Sequence, residues 1–384
     1  MKRPFLVHFL PIITDDFINI RASISLKENP LYLSNKYIEG EKIVPSNPLQ
    51  AFKLLTSNDF MIRIVGLNED RFEIYKKNYE SDAFGNFNFK IPLTEERRLI
   101  KVLQIYEIKH GKGVELLLGS FIPLHIKSPK KIVISDFDKT LADTRYHTTR
   151  EVYDSLTRPL EYFPTLKRSV EYIKDFIAKD YHPFILSASP HFYEDAMRDW
   201  LYQHQIFTAG IFLKDYRHIF SLLEGDLTPK DLKIQGLYKL NHLLDILLMT
   251  GIPDKLVLMG DNFESDPIIY SALAKTLTQK IDPWKIWKTM KRHKAFTSSR
   301  RQESQMLNKI YQLQNLVTRR MNQNIAVCDL TVLIRKVGQD ELIELPNEFV
   351  EQKKFITLYD GEPEIKQVSK KVELVEQKKG HNQR

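Results

Sequence analysis

The sequence predicts an α/β protein in which an antiparallel β-sandwich precedes a parallel β-sheet flanked by helices. Residues 1–127 consist of short apolar runs separated by polar turns, which is typical of an antiparallel sandwich. From Lys131 onward, apolar runs alternate with helical patterns, and this order requires crossover connections between parallel strands. A chain of 384 residues is long enough for two or three such units.

The composition limits the class of protein. Hydrophobic residues make up 42% of the chain, which is enough for buried cores, and the net charge of +8 favours anionic partners. The single cysteine, Cys328, excludes an intramolecular disulfide and fits a reducing, cytoplasmic compartment. No apolar run reaches the roughly 18 residues of a spanning helix, so we expect none.

The N-terminal unit is predicted to be a series of short strands. Its first stretch, MKRPFLVHFLPIITDDF, begins with basic residues but lacks a small-residue cleavage site, so we interpret it as a strand and not as a signal peptide. The further runs are INIRASISL, FMIRIVGL, GNFNFKIPL, LIKVLQIYEIK and VELLLGSFIPLHI. The segment SPKK at residues 128–131 is the predicted linker.

Three nearly continuous apolar runs, KIVIS, HPFILS and KLVLMG, are predicted to be central strands of the parallel sheet. Each run ends in a polar cluster: DFDKT, SASP and GDNFESD. Ligands bind at the carboxyl ends of such strands, so the three clusters should meet at one edge of the sheet. Asp136 and Asp138 lie two residues apart and should face the same cavity.

The predicted edge is rich in carboxylates. Asp136 and Asp138 would repel each other unless a cation lies nearby, and Asp261 and Asp266 add two more negative charges. Oxygen ligands without histidine or cysteine suit a hard ion, for which Mg²⁺ is the first candidate. A carboxylate nucleophile beside Mg²⁺ is suited to accepting a phosphoryl group. The sequence therefore predicts a site for phosphoryl transfer.

The ordered motifs resemble those of the haloacid dehalogenase-like phosphohydrolase superfamily: D-x-D-x-T, a serine after a second strand, an upstream lysine, and G-D-x-x-x-x-D. More narrowly, VISDFDKTLADT, FILSASPHFYEDAMRDWL, IFLKD and LVLMGDNFESDPIIYSAL resemble the catalytic domain of actin-patch-type phosphatidate phosphatases and their bacterial relatives. The resemblance covers roughly residues 130–280. One departure is Lys139, where that family usually has an acidic residue.

The resemblance implies a Rossmann-like sheet of haloacid dehalogenase type and a role for each motif residue. Asp136 would be the nucleophile. Asp138 would protonate the leaving alkoxide and later deprotonate water. Thr140 would orient this loop. The implied metal ligands are Asp136, Asp138, Asp261 and Asp266, and no organic cofactor is implied.

The resemblance also implies groups that bind the phosphoryl oxygens. Ser187 would donate a hydrogen bond to them, with Ser189 as the alternative. Lys239 would neutralise their charge, with Lys233 as the alternative, although a lysine on a helix is usually a solvated residue. Asp266 could also simply cap the helix that begins at Pro267. The histidines, His242 among them, lack zinc-like spacing with cysteines and are predicted to be surface or packing residues.

The distances between motifs leave no room for a large cap domain. Only a helix or two fits between Thr140 and Ser187, and the 49 residues between Ser189 and Lys239 must include a further strand near GIFLKD. We therefore expect an open site that suits a large substrate or one presented by a surface.

A basic helical insertion is predicted at about residues 284–321. Residues 285–320 hold ten Lys or Arg residues and one acidic residue, Glu303. One hypothesis places Trp284 and Trp287 at a membrane interface beside anionic lipid. A second has the charge follow a nucleic-acid backbone. The alternative to both is a solvated hairpin packed on the sheet through apolar residues, namely Ile310, Leu313, Leu316 and Val317.

The predicted phosphatase domain spans residues 128–345, and residues 346–384 form a C-terminal extension that we expect to be disordered from about residue 365. The predicted function is a Mg²⁺-dependent phosphatase that acts through an aspartyl-phosphate on phosphatidate or a related phospholipid. One alternative is a phosphatase for nucleic-acid or nucleotide phosphate, and another is a catalytically vestigial binding protein. We expect the protein in the cytoplasm, with peripheral association at a membrane as a further hypothesis.

Overall fold

The structure is a computed structural model, and the residues that it describes are 2–28, 59–109, 113–144, 160–190, 193–214, 236–263, 265–296, 298, 300–326, 328–337 and 344–360. The strands within these residues are β1 (Lys2–Ile13), β2 (Phe17–Glu28), β3 (Met61–Leu67), β4 (Glu73–Glu80), β5 (Asn86–Pro92), β6 (Val102–Glu107), β7 (Leu116–Phe121), β8 (Leu124–His125), β9 (Lys131–Asp136), β10 (His182–Pro190), β11 (Gly210–Lys214), β12 (Lys255–Asp261), β13 (Asp329–Lys336) and β14 (Ile356–Asp360).

The α-helices in the described residues are α1 (Lys167–Ala178), α2 (Glu194–Gln203), α3 (Gly236–Thr250), α4 (Asp266–Thr278), α5 (Pro283–Lys291) and α6 (Arg300–Asn322). Short 3-10 helices lie at Arg97–Leu99, Leu160–Tyr162, Lys294–Phe296 and Asn347–Phe355.

Two sheets of four strands form the N-terminal unit. The first has the order β5-β2-β1-β8 and the second the order β4-β3-β6-β7. Alternate residues of β2, including Ile18 and Ile20, are buried against Ile62 and Ile64 of β3 in one common core. Every pairing is antiparallel except that β8 joins β1 in parallel over two residue pairs. The predicted antiparallel architecture therefore holds for this unit apart from one short edge strand.

A six-stranded parallel sheet follows, with the order β11-β10-β9-β12-β13-β14. The central strands β9 and β12 are buried almost along their whole length, as their continuous apolar sequences predict. An α/β unit preceded by antiparallel sheets is thus confirmed. Strand β14 pairs with β13 and completes the sheet beyond residue 345. The parallel sheet thus extends past the predicted domain end at residue 345 and includes part of the predicted C-terminal extension.

Helix α3 joins the two units. It is buried on nearly every side, including at the polar residues Lys239, His242 and Asp245, because sheet, sandwich and α6 all contact it. The sandwich reaches it through Arg21 on β2, whose Nη1 lies 3.1 Å from Asp245 Oδ2, and through Lys90, whose Nζ donates to the Leu248 carbonyl at 3.0 Å. The position of α3 is consequently fixed from both sides.

The predicted basic insertion forms a hairpin of α5 and α6. Ile310, Leu313 and Val317 of α6 are buried in the same core as α3 and α4, and Leu316 is partly buried against it. The hairpin thus packs mainly on other helices and less directly on the sheet than predicted.

The prediction that both tryptophans of the insertion suit a membrane interface is wrong for Trp287. Its side chain is fully buried, and its Nε1 donates to Glu303 Oε1 at 3.1 Å. Trp284 is 44% exposed. The amphipathic pattern of α5 directs Trp287 into the core, where a large apolar ring gains more from burial than from solvent.

None of the helices in the described part of the chain is long and apolar enough to cross a membrane. Residues 361–384 lie outside the described residues, and so does the predicted disorder from about residue 365.

Candidate active site

The predicted polar clusters meet at one sheet edge, which we call the carboxyl edge. Asp136 ends β9, and the neighbouring strand β10 carries Ser187 directly after the residue that pairs with Asp136. On the other side of β9, β12 ends at Asp261. Parallel neighbours bring their carboxyl ends together, so three motifs that are far apart in the sequence share one site.

Three buried aspartates and a buried lysine form the centre of this site, which we call the carboxylate cluster. Asp136, Asp261 and Asp266 each offer one oxygen, and these oxygens all lie within 4.8 Å of one another. The Nζ of Lys239 lies 3.1 Å from Asp136 Oδ1 and 2.9 Å from Asp266 Oδ1. Lys239 thus occupies the place predicted for the site lysine, whereas its alternative, Lys233, lies outside the described residues.

The carboxylate cluster fits a divalent cation. All three aspartates are 0% exposed and Lys239 is 1% exposed, so water screens their charges poorly. Carboxylates this close together repel one another when ionised, and a nearby cation would relieve that repulsion. Oxygen donors alone are the ligand set of a hard ion. Asp136, Asp261 and Asp266 are therefore the residues that would hold a metal.

The fourth motif is shaped by a glycine. A Cβ on Gly260 would lie 2.5 Å from Asp266 Oδ2 and 2.8 Å from Tyr270 Cε2, so any larger residue would displace the Asp266 carboxylate. Asp266 is the first residue of α4, and Ser265 precedes it at the N-cap position. The Asp266 carboxylate accepts from the Asp261 backbone amide at 3.3 Å and from Lys239, so it faces the cluster and does not merely cap the helix.

Asp138 has different neighbours from Asp136. Its Oδ2 accepts hydrogen bonds from Ser187 Oγ at 2.6 Å and from Ser189 Oγ at 2.9 Å. Its Oδ1 accepts from Thr144 Oγ1 at 2.8 Å. The group of three carboxylates does not include it. The predicted metal ligation by Asp138 stays a prediction, and its side chain lies among these hydroxyl groups.

The loop that follows β9 is held in a tight conformation. Thr140 Oγ1 donates to Asp136 Oδ2 at 3.3 Å, and the Lys139 amide donates to the Ala142 carbonyl at 2.8 Å. Lys139 has φ +57°, a left-handed conformation, and its Nζ lies 3.3 Å from the centroid of the Phe263 ring. Lys139, the residue that departs from the family pattern, thus connects the loop of the DFDKT motif to Phe263 in the GDNFESD motif.

Several residues of the site were not predicted. Thr144 donates a hydrogen bond to Asp138 Oδ1. Beside the carboxylate cluster, the Tyr270 hydroxyl donates to the Met259 carbonyl at 3.0 Å. Burial and the adjacent Asp266 and Asp136 charges raise the pKa of Tyr270 well above its ordinary value. Thr144 lies inside the quoted motif VISDFDKTLADT, but a hydroxyl four residues past Thr140 carries no signal by itself.

A second polar cluster lies on α3 away from the carboxyl edge, and we call it the interface cluster. It consists of Arg21, His242, Asp245 and Lys309. The His242 Nε2 lies 3.2 Å from the Leu213 carbonyl, which can only accept, so this nitrogen carries the hydrogen. Burial lowers the pKa of His242 to about 4 and keeps the ring neutral. Burial alone would raise the pKa of Asp245, but His242, Lys309 and Arg21 hold it well below its usual range.

The tip of the basic hairpin lies beside the carboxylate cluster. A Cβ on Gly236 would lie 2.8 Å from Ala295 Cβ and 2.9 Å from Ser265 Oγ. Gly236 lies about one helical turn before Lys239, and Ser265 precedes Asp266, so the turn around Ala295 borders the site. Lys291, Arg292 and Arg300 flank this turn and are exposed. Cationic residues thus lie on both sides of the bordering turn, where Lys291 pairs with Glu303 and Arg292 with Glu348.

Comparisons with solved structures give only weak likenesses. A calcium-binding mutant of β-glucuronidase 2 from Bacteroides uniformis aligns at 10% identity and a TM-score of 0.24, covering 98% of this chain and 39% of that chain. The β-glucuronidase of Parabacteroides merdae with glycerol in its active site aligns at 10% identity and a TM-score of 0.26, covering 87% and 34%. This chain thus spans well under half of either enzyme, and such scores support no functional conclusion. No curated protein matches the chain.

A family comparison is informative. Residues 131–288 match the family described as "Phosphatidate phosphatase APP1, catalytic domain". This region contains Asp136, Asp138, Lys239, Asp261 and Asp266, together with both serines of the second motif. The resemblance predicted from the motifs is confirmed: residues 131–288 match this catalytic-domain family, which is a haloacid dehalogenase-like phosphatase family.

Proposed function

We propose that this protein is a Mg²⁺-dependent phosphatase that hydrolyses phosphatidate or a related phospholipid phosphomonoester through an aspartyl-phosphate. The observation that carries the proposal is the buried carboxylate cluster, in which Asp136 lies against Lys239, within a region of the matching family. The adjacent Asp138, hydrogen-bonded to two serines, supplies a second carboxyl for proton transfer.

In the first step, a carboxylate oxygen of Asp136 attacks the phosphorus, and the bond from phosphorus to the lipid oxygen breaks. Asp138, protonated at this stage, donates its proton to the departing oxygen. Lys239 offsets the negative charge of Asp136 and of the phosphoryl group as they approach. The products are the dephosphorylated lipid and an aspartyl-phosphate at Asp136.

In the second step, the now ionised Asp138 removes a proton from water, and the water oxygen attacks the same phosphorus. The bond to Asp136 breaks, which releases inorganic phosphate and restores both carboxyl groups. The hydroxyls of Ser187 and Ser189 both point to Asp138 Oδ2 at less than 3 Å. They are therefore suited to hold that carboxylate, and each could turn its single hydrogen to a phosphoryl oxygen when substrate is bound.

Asp136, Asp261 and Asp266 would hold Mg²⁺. When bound, the ion would neutralise phosphoryl charge and act as a Lewis acid. The proposal predicts that activity is lost in excess chelator, restored by Mg²⁺ and restored poorly by Ca²⁺, which prefers more ligands at longer distances. Full activity in excess chelator would contradict it.

A substrate panel tests the proposed specificity. Phosphate release would be compared for phosphatidate in phosphatidylcholine vesicles, 5′- and 3′-phosphorylated oligonucleotides, and p-nitrophenyl phosphate, each with and without Mg²⁺. We expect hydrolysis of p-nitrophenyl phosphate and faster hydrolysis of phosphatidate. A preference for oligonucleotides would favour the nucleic-acid alternative, and inactivity on every substrate would favour a vestigial binding protein.

The intermediate can be tested with Asp138→Asn. The amide cannot deprotonate water, so the phospho-enzyme should accumulate and be detectable after an acid quench as an adduct at Asp136 that hydroxylamine cleaves. Asp136→Asn provides the control, because it removes the acceptor and should give no adduct.

We further propose that the protein is cytoplasmic and binds anionic membrane surfaces through the hairpin tip. Polybasic segments gain about 1 kcal/mol per cation near an anionic leaflet. The exposed Lys288 and Arg292 lie four residues apart on one side of the hairpin, close to the bordering turn. The tip would thus bring the site towards a lipid phosphate.

A pair of charge-reversal variants tests this docking. Lys288→Glu combined with Arg292→Glu should reduce co-sedimentation with anionic vesicles and slow phosphatidate hydrolysis, while the rate on p-nitrophenyl phosphate stays unchanged. Lys353→Glu combined with Lys354→Glu makes the same change in charge next to the start of β14, at the opposite edge of the sheet. Equal losses in both variants, or tight oligonucleotide binding without vesicle binding, would contradict lipid docking.

A further inference from the structure

A buried arginine lies at the carboxyl edge beside the fourth motif. Arg335 is near the end of β13, is 4% exposed and pairs with Asp261 in the parallel register. Burial of a guanidinium costs several kcal/mol unless specific partners compensate for the lost water. A charged residue at the end of the apolar stretch DLTVLIRKV is the one signal in the sequence that could have drawn attention to it.

The guanidinium of Arg335 contacts the loop of the first motif. Its Nε donates a hydrogen bond to the Lys139 carbonyl, and its Nη2 lies 3.9 Å from Asp143 Oδ1. Its own carbonyl accepts a hydrogen bond from the Asn262 amide at 3.0 Å, next to Asp261. One residue therefore touches the loops that carry the first and the fourth motif.

The hydrogen bond from Arg335 to the Lys139 carbonyl lies at a strained point of the backbone. Lys139 has φ +57°, which is uncommon for a residue with a side chain and persists where surrounding contacts hold it. Lys139 lies directly between Asp138 and Thr140, so the orientation of its peptide group decides where those two side chains point. A fork-shaped donor can hold the carbonyl and a carboxylate at the same time, which a single ammonium does less well.

We propose that Arg335 is a positioning residue for the phosphatase reaction. It fixes the Lys139 peptide against the end of β13 and thereby holds Asp138 in register with Asp136 and Asp261. The inference rests on the proposed function, because the geometry that it explains is that of phosphoryl transfer. Arg335 does not itself need to touch the substrate.

The test compares Arg335→Lys and Arg335→Gln with the natural protein. A misplacement of about 1 Å can cost about 10²-fold in rate. We therefore expect kcat on p-nitrophenyl phosphate to fall by about 10²-fold in Arg335→Gln and by less in Arg335→Lys, with KM changed by less than about threefold. In Arg335→Ala, added guanidinium ions should restore part of kcat, which they should not do in Asp136→Asn.

A second measurement does not depend on activity. Backbone amide exchange in a peptide that covers residues 137–144 should become faster in Arg335→Gln, while exchange in β2 and β3 of the sandwich stays unchanged. This measurement also detects a variant that fails to fold, because exchange would then accelerate everywhere. If Arg335→Gln fails to fold, the same measurement is made on Arg335→Lys, which is the milder change.

Arg320→Gln is the matched control. Arg320 is also a partly buried arginine that holds a backbone carbonyl and a carboxylate, with Nη1 2.7 Å from the Ile252 carbonyl and Nη2 against Asp254. These partners precede β12, at the opposite edge of the sheet. We expect Arg320→Gln to lower the melting temperature without the selective loss of kcat.

The outcomes separate the two proposals. If the natural protein hydrolyses no phosphomonoester, the proposed function fails, and the exchange of residues 137–144 still judges whether Arg335 holds the loop. If the natural protein is active but Arg335→Gln keeps kcat or leaves this exchange unchanged, the positioning role is overturned. A loss of kcat that Arg320→Gln reproduces in full would also overturn it, since any buried arginine would then serve.

Discussion

Helix α3 carries two buried clusters of charged residues that differ in how their charges are satisfied. In the interface cluster, the Asp245 carboxylate has two cationic partners, Arg21 and Lys309. The Arg21 and Lys309 side chains keep 20% and 25% of their surface exposed, so water also stabilises them. In the carboxylate cluster, three fully buried aspartates lie together, and the Lys239 ammonium contacts two of them, Asp136 and Asp266.

The two clusters differ in whether the protein itself satisfies their charges. The interface cluster is complete within the protein and fastens α3 to the sandwich and to α6. The carboxylate cluster holds like charges together at a cost that a bound cation or a phosphoryl group can offset. Substitutions in the interface cluster should therefore lower stability, and substitutions in the carboxylate cluster should affect activity and ligand binding.

The largest expected effect is that of Asp136→Asn. We expect turnover to fall by about 10⁴-fold or more, because the amide cannot form the acyl-phosphate. The free energy of unfolding, measured in chelator, should stay the same or rise, because one of three mutually repelling carboxylates is gone. Steady-state kinetics and chemical denaturation check both parts. Undiminished turnover in clean protein would refute the assignment of the nucleophile.

The opposite pattern is expected for Asp245→Asn. The change leaves Arg21 and Lys309 without their carboxylate, and we expect the free energy of unfolding to fall by about 2 to 3 kcal/mol, less than for a fully buried pair. Turnover per folded molecule should fall far less than in Asp136→Asn. Chemical denaturation measures the first quantity, and kinetics at a temperature where the variant is folded measure the second. A stable but inactive variant would contradict the comparison.

Metal binding should stabilise the protein only through the carboxylate cluster. A ligand at about 100 times its Kd adds about 2.7 kcal/mol to the free energy of unfolding. We expect Mg²⁺ to raise the melting temperature of the natural protein and of Asp245→Asn, but not of Asp261→Asn. Differential scanning calorimetry with titrated Mg²⁺ tests this. An equal shift in Asp261→Asn would place the metal elsewhere.

The smallest effect is a dependence of stability on pH through His242. The folded protein holds the pKa of His242 at about 4, against an ordinary value of 6.5, so between these values the unfolded chain binds a proton that the folded protein does not. The free energy of unfolding therefore falls as the pH falls through this window, by about 2 kcal/mol at about pH 5. His242→Gln should lack this contribution.

The measurement for His242 is the difference between the two proteins. Burial raises the pKa of Glu194 to about 7, which stabilises the folded state in acid and has the opposite sign. Because Glu194 is present in both proteins, its contribution cancels when the change between about pH 7.5 and about pH 5 is compared. Equal pH dependence in the natural protein and in His242→Gln would show that the ring is not held neutral.

Much of the fold and of the site follows from the sequence alone. The apolar runs before Asp136, Ser187 and Asp261 predicted parallel strands, and the strands formed where predicted. Burial on both faces requires continuous apolar residues, so a carboxylate at the end of such a run is conspicuous. An apolar run that ends in a carboxylate involves only residues adjacent in the chain, so it can be recognised from the sequence.

Other features were decided only by the tertiary structure. The distances of Lys239 to Asp136 and Asp266 are visible only in the structure, and one hypothesis placed Trp287 at a membrane interface although it lies in the core. A helical pattern shows which residues share a face, but not what covers that face.

The α/β class, the order of the motifs and the carboxylates that gather at the carboxyl edge can thus be predicted from the amino-acid sequence. The hydrogen bonds of Asp138 with Ser187 and Ser189, and of Arg335 with the Lys139 carbonyl, are seen only in the folded protein. Hydrogen bonds between residues far apart in the chain depend on angles and on distances of a few tenths of an ångström. Such geometry arises only when the whole sheet, its helices and its loops have packed together.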